Sequence, residues 1–139
     1  MAAQLTADTT VVVSALSDWH EAHDACRRRL EHVDWFPAHA LAESVSVLSR
    51  LPRGFAVPLD AAVEAVRGLC ANARQLRADR YLPVLASLGR AGLGGAAVYD
   101  AIICATALDH GATLLSLDRR AQRTYAALGA RYELLDEAR

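Results

Sequence analysis

The sequence predicts an α/β protein: a three-layer fold with a central parallel sheet of four or five strands flanked by helices. Two observations predict it. Short β-branched or apolar stretches alternate with longer helix-like runs, the order that builds a parallel sheet through crossover connections. The 139 residues carry no repeat, low-complexity tract or linker, so the reading is one domain over residues 1–139, large enough to bury its own core.

Each element has its local reason. Leu5 to Asp8 reads as the first strand. "TTVVVSAL" is β-branched, yet it follows an Asp and leads into a helix-like run, so the reading is strand, then helix. Trp19 to His32 is a polar amphipathic helix, and Trp35-Phe36-Pro37 a short second strand. Ala38 to Leu51 is helical and stops at Pro52. Leu59 to Ala73 and Tyr81 to Ala91 are further helices, with "GLGG" at 92–95 as a loop. Val98 to His110 is a helix stopped by Gly111, and Thr113 to Leu117 a strand. Arg119 to Leu128 is a helix ended by Gly129, and "RYELL" the last strand.

Composition narrows the function classes. Hydrophobic residues make up 53%, above the usual globular share, and Ala and Leu dominate. The formal net charge is −1, which argues against a generally basic nucleic-acid binder. All 15 basic residues are Arg. A GC-rich genome accounts for that, and so would a need to grip phosphates in a bidentate way. No apolar run reaches the roughly 18 residues of a membrane span. No signal-peptide pattern opens the chain, so the expectation is a cytoplasmic protein without membrane contact. Cys26, Cys70 and Cys104 match no metal or redox spacing and read as small buried hydrophobes.

The stretch "VYDAIICATALDHGATLLSLDRR" is almost wholly apolar, yet has Asp100 near its start and Asp118 near its end. A helix rises ~1.5 Å per residue, so Asp100 to His110 descends ~15 Å. A strand rises ~3.3 Å per residue, so Thr113 to Asp118 climbs back ~17 Å. Both carboxylates therefore finish at one edge of the domain. Asp8 ends the first strand at the same edge, where parallel sheets bind ligands. Glu43 opens the helix after Trp35-Phe36. Each Asp also has a plainer role as a helix cap; Glu43 reads otherwise as a partly exposed helix residue. Convergence would be unfavourable: two carboxylates ~4 Å apart repel by ~4 kcal/mol at an effective dielectric near 20. Such a cluster raises its own pKa values or takes a cation. Oxygen ligands without His or Cys suit Mg²⁺ or Mn²⁺, the setting for metal-activated water attacking a phosphodiester.

The blocks "ADTTVVVSAL" with Asp8, "HALAESVSVLSRLP" with Glu43 and "YDAIICATALDHGATLLSLDRRA" with Asp100 and Asp118 resemble a PIN-domain ribonuclease, most of all a VapC-type toxin. The resemblance runs over essentially the full length, in the family's order. It implies a compact parallel sheet flanked by helices and Mg²⁺- or Mn²⁺-dependent cleavage of single-stranded or looped RNA, often tRNA or ribosomal RNA. It implies a cognate VapB-type antitoxin that blocks the site, and the apolar content adds a homodimer within that complex. Asp8, Glu43, Asp100 and Asp118 carry over as the acidic quartet, with Asp8, Asp100 and Asp118 as metal ligands. Thr10 and Ser116 stand as supporting polar residues; "DTT" here replaces the commoner "DTN" or "DTS" and keeps the hydroxyl. Arg50, Arg53, Arg119, Arg120 and Arg123 are candidates for RNA phosphate contacts; Arg27 to Arg29 reads as an exposed helix face.

Other readings carry less. Gly92, Gly94 and Ala97 spell G-x-G-x-x-A with Asp118 beyond, as in a dinucleotide fold. The preceding "LPVLASLGRA" is a poor strand, and Asp100 would repel a pyrophosphate. His20 and His23 at i, i+3 suit a metal but read better as polar surface. A non-catalytic interaction module of the same fold would keep its function after Asp-to-Asn changes.

Overall fold

The computed structural model describes residues 3–135. In chain order the elements are β1 (Gln4–Ala7), α1 (Thr9–Ala15), α2 (His23–Leu30), β2 (Phe36–Pro37), α3 (Ala38–Ser49), α4 (Leu59–Leu69) and β3 (Ala73–Arg74). After a single 3₁₀ turn at Ala78–Arg80 come α5 (Tyr81–Arg90), α6 (Ala97–Asp109), β4 (Ala112–Ser116), α7 (Gln122–Ala127) and β5 (Tyr132–Leu134).

All strand pairs are parallel. The three-stranded sheet has the order β1-β4-β5, with Ala7 opposite Leu115 and Ser116 opposite Leu134. β2 and β3 form a separate two-stranded pair. The four strands expected from sequence are therefore present, and with β3, which was not expected, they divide three and two. Pro37 has no N–H to donate, which ends β2 after two residues. The Thr6 hydroxyl instead joins that pair to β1, donating to the Trp35 carbonyl at 2.8 Å. β4 is central, and its buried Leu114 and Leu115 pack into different clusters, so it reads as a continuous apolar run.

α6 is buried over the whole of Ala101–Ala107. Its Ile103, Cys104 and Ala107 pack with Leu114 and Tyr125, while Ala101, Ile102 and Ala105 pack with Val84 and Leu88 of α5. A helix buried between two clusters has no polar face to show, which explains the unbroken apolar run. α1 keeps its helix against β-branched propensity because Val11, Val12 and Ala15 are fully buried and Asp8 caps its first turn.

Several boundaries differ from the sequence reading. The helix expected from Trp19 starts only at His23, because a turn from Ser17 to His23 precedes it, with the Ala22 N–H donating to His20 Nδ1 at 3.0 Å. The helix expected to reach Ala73 ends at Leu69, since Ala73 and Arg74 pair with β2 and the Phe36 N–H donates to the Asn72 carbonyl. The helix expected from Arg119 begins at Gln122, after a turn closed by Asp118. The segment before "GLGG" is α5, not a strand, which removes the strand a dinucleotide fold requires there. His20 and His23 do not share a helix face; His23 Nδ1 lies 3.0 Å from the Ser14 carbonyl. Cys26, Cys70 and Cys104 are buried and unpaired. No helix among the described residues is long and apolar enough to cross a membrane.

Candidate active site

At the carboxyl ends of β1 and β4 a cleft of about 890 Å³ opens, lined by Asp8, Glu43, Asp100 and Asp118. Four separate segments bring them there. Asp8 follows β1, Asp118 follows β4, Glu43 projects from the second turn of α3 and Asp100 from the first turn of α6.

Asp8 is 3% exposed. Its Oδ1 accepts from the Thr10 N–H at 3.0 Å and from the Thr10 hydroxyl at 2.5 Å. The Thr10 hydroxyl in turn accepts the Leu117 N–H at 2.9 Å, so one side chain ties the ends of both strands together. Asp8 Oδ2 accepts from the Tyr125 hydroxyl at 2.7 Å. Burial pushes the Asp8 carboxyl above its ordinary value, against the pull of hydrogen bonds from Ser116, Thr10, Tyr125 and Val11. The Tyr125 phenol is pushed up by burial and by the Asp8 charge, so it stays a donor.

Asp118 is held in a similar way. Its N–H donates to the Ser116 hydroxyl at 3.0 Å, and its Oδ1 accepts from Arg120 N–H at 2.9 Å and Ala121 N–H at 3.3 Å. The two helical acids are held more loosely. Glu43 Oε1 accepts from the Thr9 hydroxyl at 2.5 Å. Asp100 is pushed up to about 7, first by burial and then by the charges of Asp118, Glu43 and Asp8; Arg120 pulls it down, and no hydrogen bond contributes. Like charges felt from three other acids place the quartet within one electrostatic site.

Among the described residues no three His, Cys, Asp or Glu stand in the geometry of a formed metal site. Asp8 is hydrogen-bonded to Thr10 and Tyr125, and Glu43 to Thr9. Their chemistry still fits a hard divalent cation. The donors are all oxygen, an ionised carboxylate keeps lone pairs beyond one or two hydrogen bonds, and Arg120 offsets the mutual repulsion around Asp100 only in part.

Of the arginines singled out by sequence, Arg50, Arg120 and Arg123 line the cleft, whereas Arg53 and Arg119 do not. Arg53 sits in an exposed turn with φ 60°, and Arg119 is the neighbour of Arg120 that the turn after Asp118 directs elsewhere. Of the run Arg27 to Arg29, Arg29 pairs with Glu133 next to the sheet edge. Two site residues escaped sequence reasoning. Thr9 carried a signal, a second hydroxyl directly after the acid of "DTT". Tyr125 carried none, since its link to Asp8 depends on how distant segments pack.

The PIN domain family matches this chain over residues 6–127. Ribonuclease VapC40 of Mycobacterium tuberculosis is 36% identical over 130 residues, covering 92% of this chain and 96% of that protein. Ribonuclease VapC27 of the same organism is 37% identical over 128 residues, covering 90% and 92%. The chain belongs to the PIN-domain family. Two solved structures share the fold: FitAcB from Neisseria gonorrhoeae has a TM-score of 0.66 at 22% identity, covering 93% of this chain and 96% of that one. PAE2754 from Pyrobaculum aerophilum has a TM-score of 0.59 at 21% identity, covering 95% and 92%.

Proposed function

We propose that this chain is a single-domain toxin endoribonuclease of a toxin–antitoxin pair that hydrolyses RNA phosphodiesters with Mg²⁺ or Mn²⁺. The observation that carries the reading is the meeting of Asp8, Glu43, Asp100 and Asp118 in one cleft, where each of the others raises Asp100. The identity to two proteins named ribonuclease, over nine-tenths of the chain, supports the reaction and the substrate class.

Asp8, Asp100 and Asp118 would hold the cation. Bound there, a divalent cation lowers the pKa of its water and offsets charge developing on the phosphate. The residues do the rest. Thr10 and Tyr125 fix the rotamer of Asp8, and the Arg120 and Ala121 N–H groups that of Asp118, so their oxygens are placed in advance. Glu43, anchored through one oxygen by Thr9, leaves the other to orient the attacking water. Arg50, Arg120 and Arg123 offset the repulsion a polyanion meets from four carboxylates. Attack on phosphorus breaks the bond to the 3′ oxygen, leaving a 3′-hydroxyl and a 5′-phosphate. The natural substrate would be tRNA or ribosomal RNA in the cytoplasm, with translation inhibited.

Exposed large apolar side chains support a partner-covered surface. Trp19 and Phe55 stack at 4.4 Å between ring centres, and Leu82 is 77% exposed. A VapB-type antitoxin and a second copy of this chain are the proposed partners.

The test is cleavage of total bacterial RNA by purified, antitoxin-free protein with Mg²⁺ or Mn²⁺, against chelator and against Asp100→Asn, with ends mapped by sequencing. Discrete cuts lost on chelation and in the variant are expected. Growth inhibition that survives Asp100→Asn in a folded protein would sink the reading in favour of an interaction module.

A further inference from the structure

The cleft has one wall that the acids and arginines do not explain. His39, in the first turn of α3, and Tyr99, in the first turn of α6, lie ring to ring with centres 5.2 Å apart and planes only 5° from parallel. Both line the cleft. Tyr99 is 50% exposed although Ala101–Ala107 of the same helix are buried. An aromatic ring held flat by a second ring, with half its surface open, is an unusual use of a large side chain.

Its position relative to the acids is fixed by helix geometry. Glu43 stands four residues after His39 on the same face of α3, a spacing of about 5–6 Å between Cβ atoms. Asp100 is the next residue after Tyr99. The stacked pair is therefore about one nucleotide's reach from the carboxylates. An aromatic face beside an electrostatic site is what single-stranded nucleic acid uses: the phosphate goes to the charged groups and the unpaired base stacks on the ring. Arg50, Arg120 and Arg123 in the same cleft favour a polyanion over an apolar protein segment at this wall.

We infer that the His39–Tyr99 pair is a stacking platform that seats an unpaired base of the RNA strand next to the carboxylates. The inference rests on the ribonuclease reading and adds to it which residues seat the base beside the cut. Stacking needs a flat π-face and no particular hydrogen bond, so the platform admits any base and favours the larger purines.

The test uses the full chain and a fluorescein-labelled RNA dodecamer of mixed sequence, with binding followed by anisotropy in an Asp100→Asn background that holds cutting off. A second dodecamer carries abasic riboses throughout. Tyr99→Ala and Tyr99→Leu are expected to weaken binding of the intact RNA by about fivefold or more, the effect of losing one stacked base. Tyr99→Trp is expected to restore it, and the abasic RNA to bind all four proteins alike. Equal affinity of the intact RNA for Tyr99→Leu and the parent would overturn the platform while leaving the nuclease standing. Failure of the native chain to cut or bind any RNA would overturn both. Loss of binding to the abasic RNA in Tyr99→Leu as well would assign Tyr99 a structural role and also overturn it.

Discussion

The two walls of the cleft hold their carboxylates by different means. Asp8 and Asp118 sit just past strand ends and accept backbone N–H groups of the turn that follows. Glu43 and Asp100 project from helices, and Asp100 has no hydrogen bond among the influences on it. The strand-end acids are caps and candidate ligands at once, so capping and chemistry are not competing explanations for them. Glu43 caps no helix, and Asp100, in the first turn of α6, stands against both burial and like charge. A residue whose charge opposes folding is a stronger pointer to chemistry than one that also stabilises its turn.

Breaking each wall separates the two roles. Asp8→Ala is expected to lose cleavage by about a thousandfold, the upper range for one electrostatic group in a site. It also loses stability: about 1 kcal/mol for the cap and about 1–3 kcal/mol for the buried Tyr125 hydroxyl left without its acceptor. Urea unfolding beside a cleavage assay reads both. Asp100→Ala is expected to lose cleavage to the same degree while its unfolding midpoint in chelator stays or rises, because a repelled, half-buried charge has gone. A large fall in that midpoint would erase the contrast.

Tyr125→Phe sharpens it further. Only the hydroxyl that fixes Asp8 is removed, so cleavage or Mn²⁺ affinity is expected to fall about 10- to 100-fold, as for other groups that orient a metal ligand. Rescue of the rate by raised Mn²⁺, followed by titration, would show that the hydroxyl acts through Asp8. The smallest effect is on pH. The folded Asp100 carboxyl sits near 7 against an ordinary 3.8, so between those values the folded chain holds a proton that the unfolded chain has released. Stability of the metal-free protein therefore falls as pH rises from about 4 to about 7. Asp100→Asn is expected to flatten that slope in denaturant titrations at pH 5 and pH 7.5; an unchanged slope would place the repulsion elsewhere.

How much of this was legible beforehand follows from the range of each interaction. Asp118 could be read because it ends an apolar strand, and Asp100 because it interrupts an apolar helix; both signals are local. The alternation of strands and helices was local too. β3 was not legible: Ala73 and Arg74 are exposed, and only the backbone of β2 makes them a strand. The stops at Leu69 and the start at His23 were set by turns whose partners lie outside the helices. Tyr125 was invisible for a sharper reason. Nothing near it in sequence refers to Asp8, and the contact exists only because β4 lies beside β1 and α7 packs on α6 with Tyr125 against Leu114. Arg53 and Arg119 show the same limit, since closeness in sequence to Leu51 or Asp118 does not say which way a turn points.

That Tyr125–Asp8 contact spans 117 positions of the chain. The sheet carries the same signature, as β1 pairs with β4 more than a hundred residues later. A chain emerging from the ribosome at about 5–20 residues per second thus completes Asp8, Glu43 and the first five helices with no finished cleft. The site closes only when the last helix arrives and β1 finds its neighbour. For a chain of a ribonuclease family, topology itself serves as a timer. The nascent chain carries Asp8 and Glu43 for most of its synthesis before Asp118 and Tyr125 can join them.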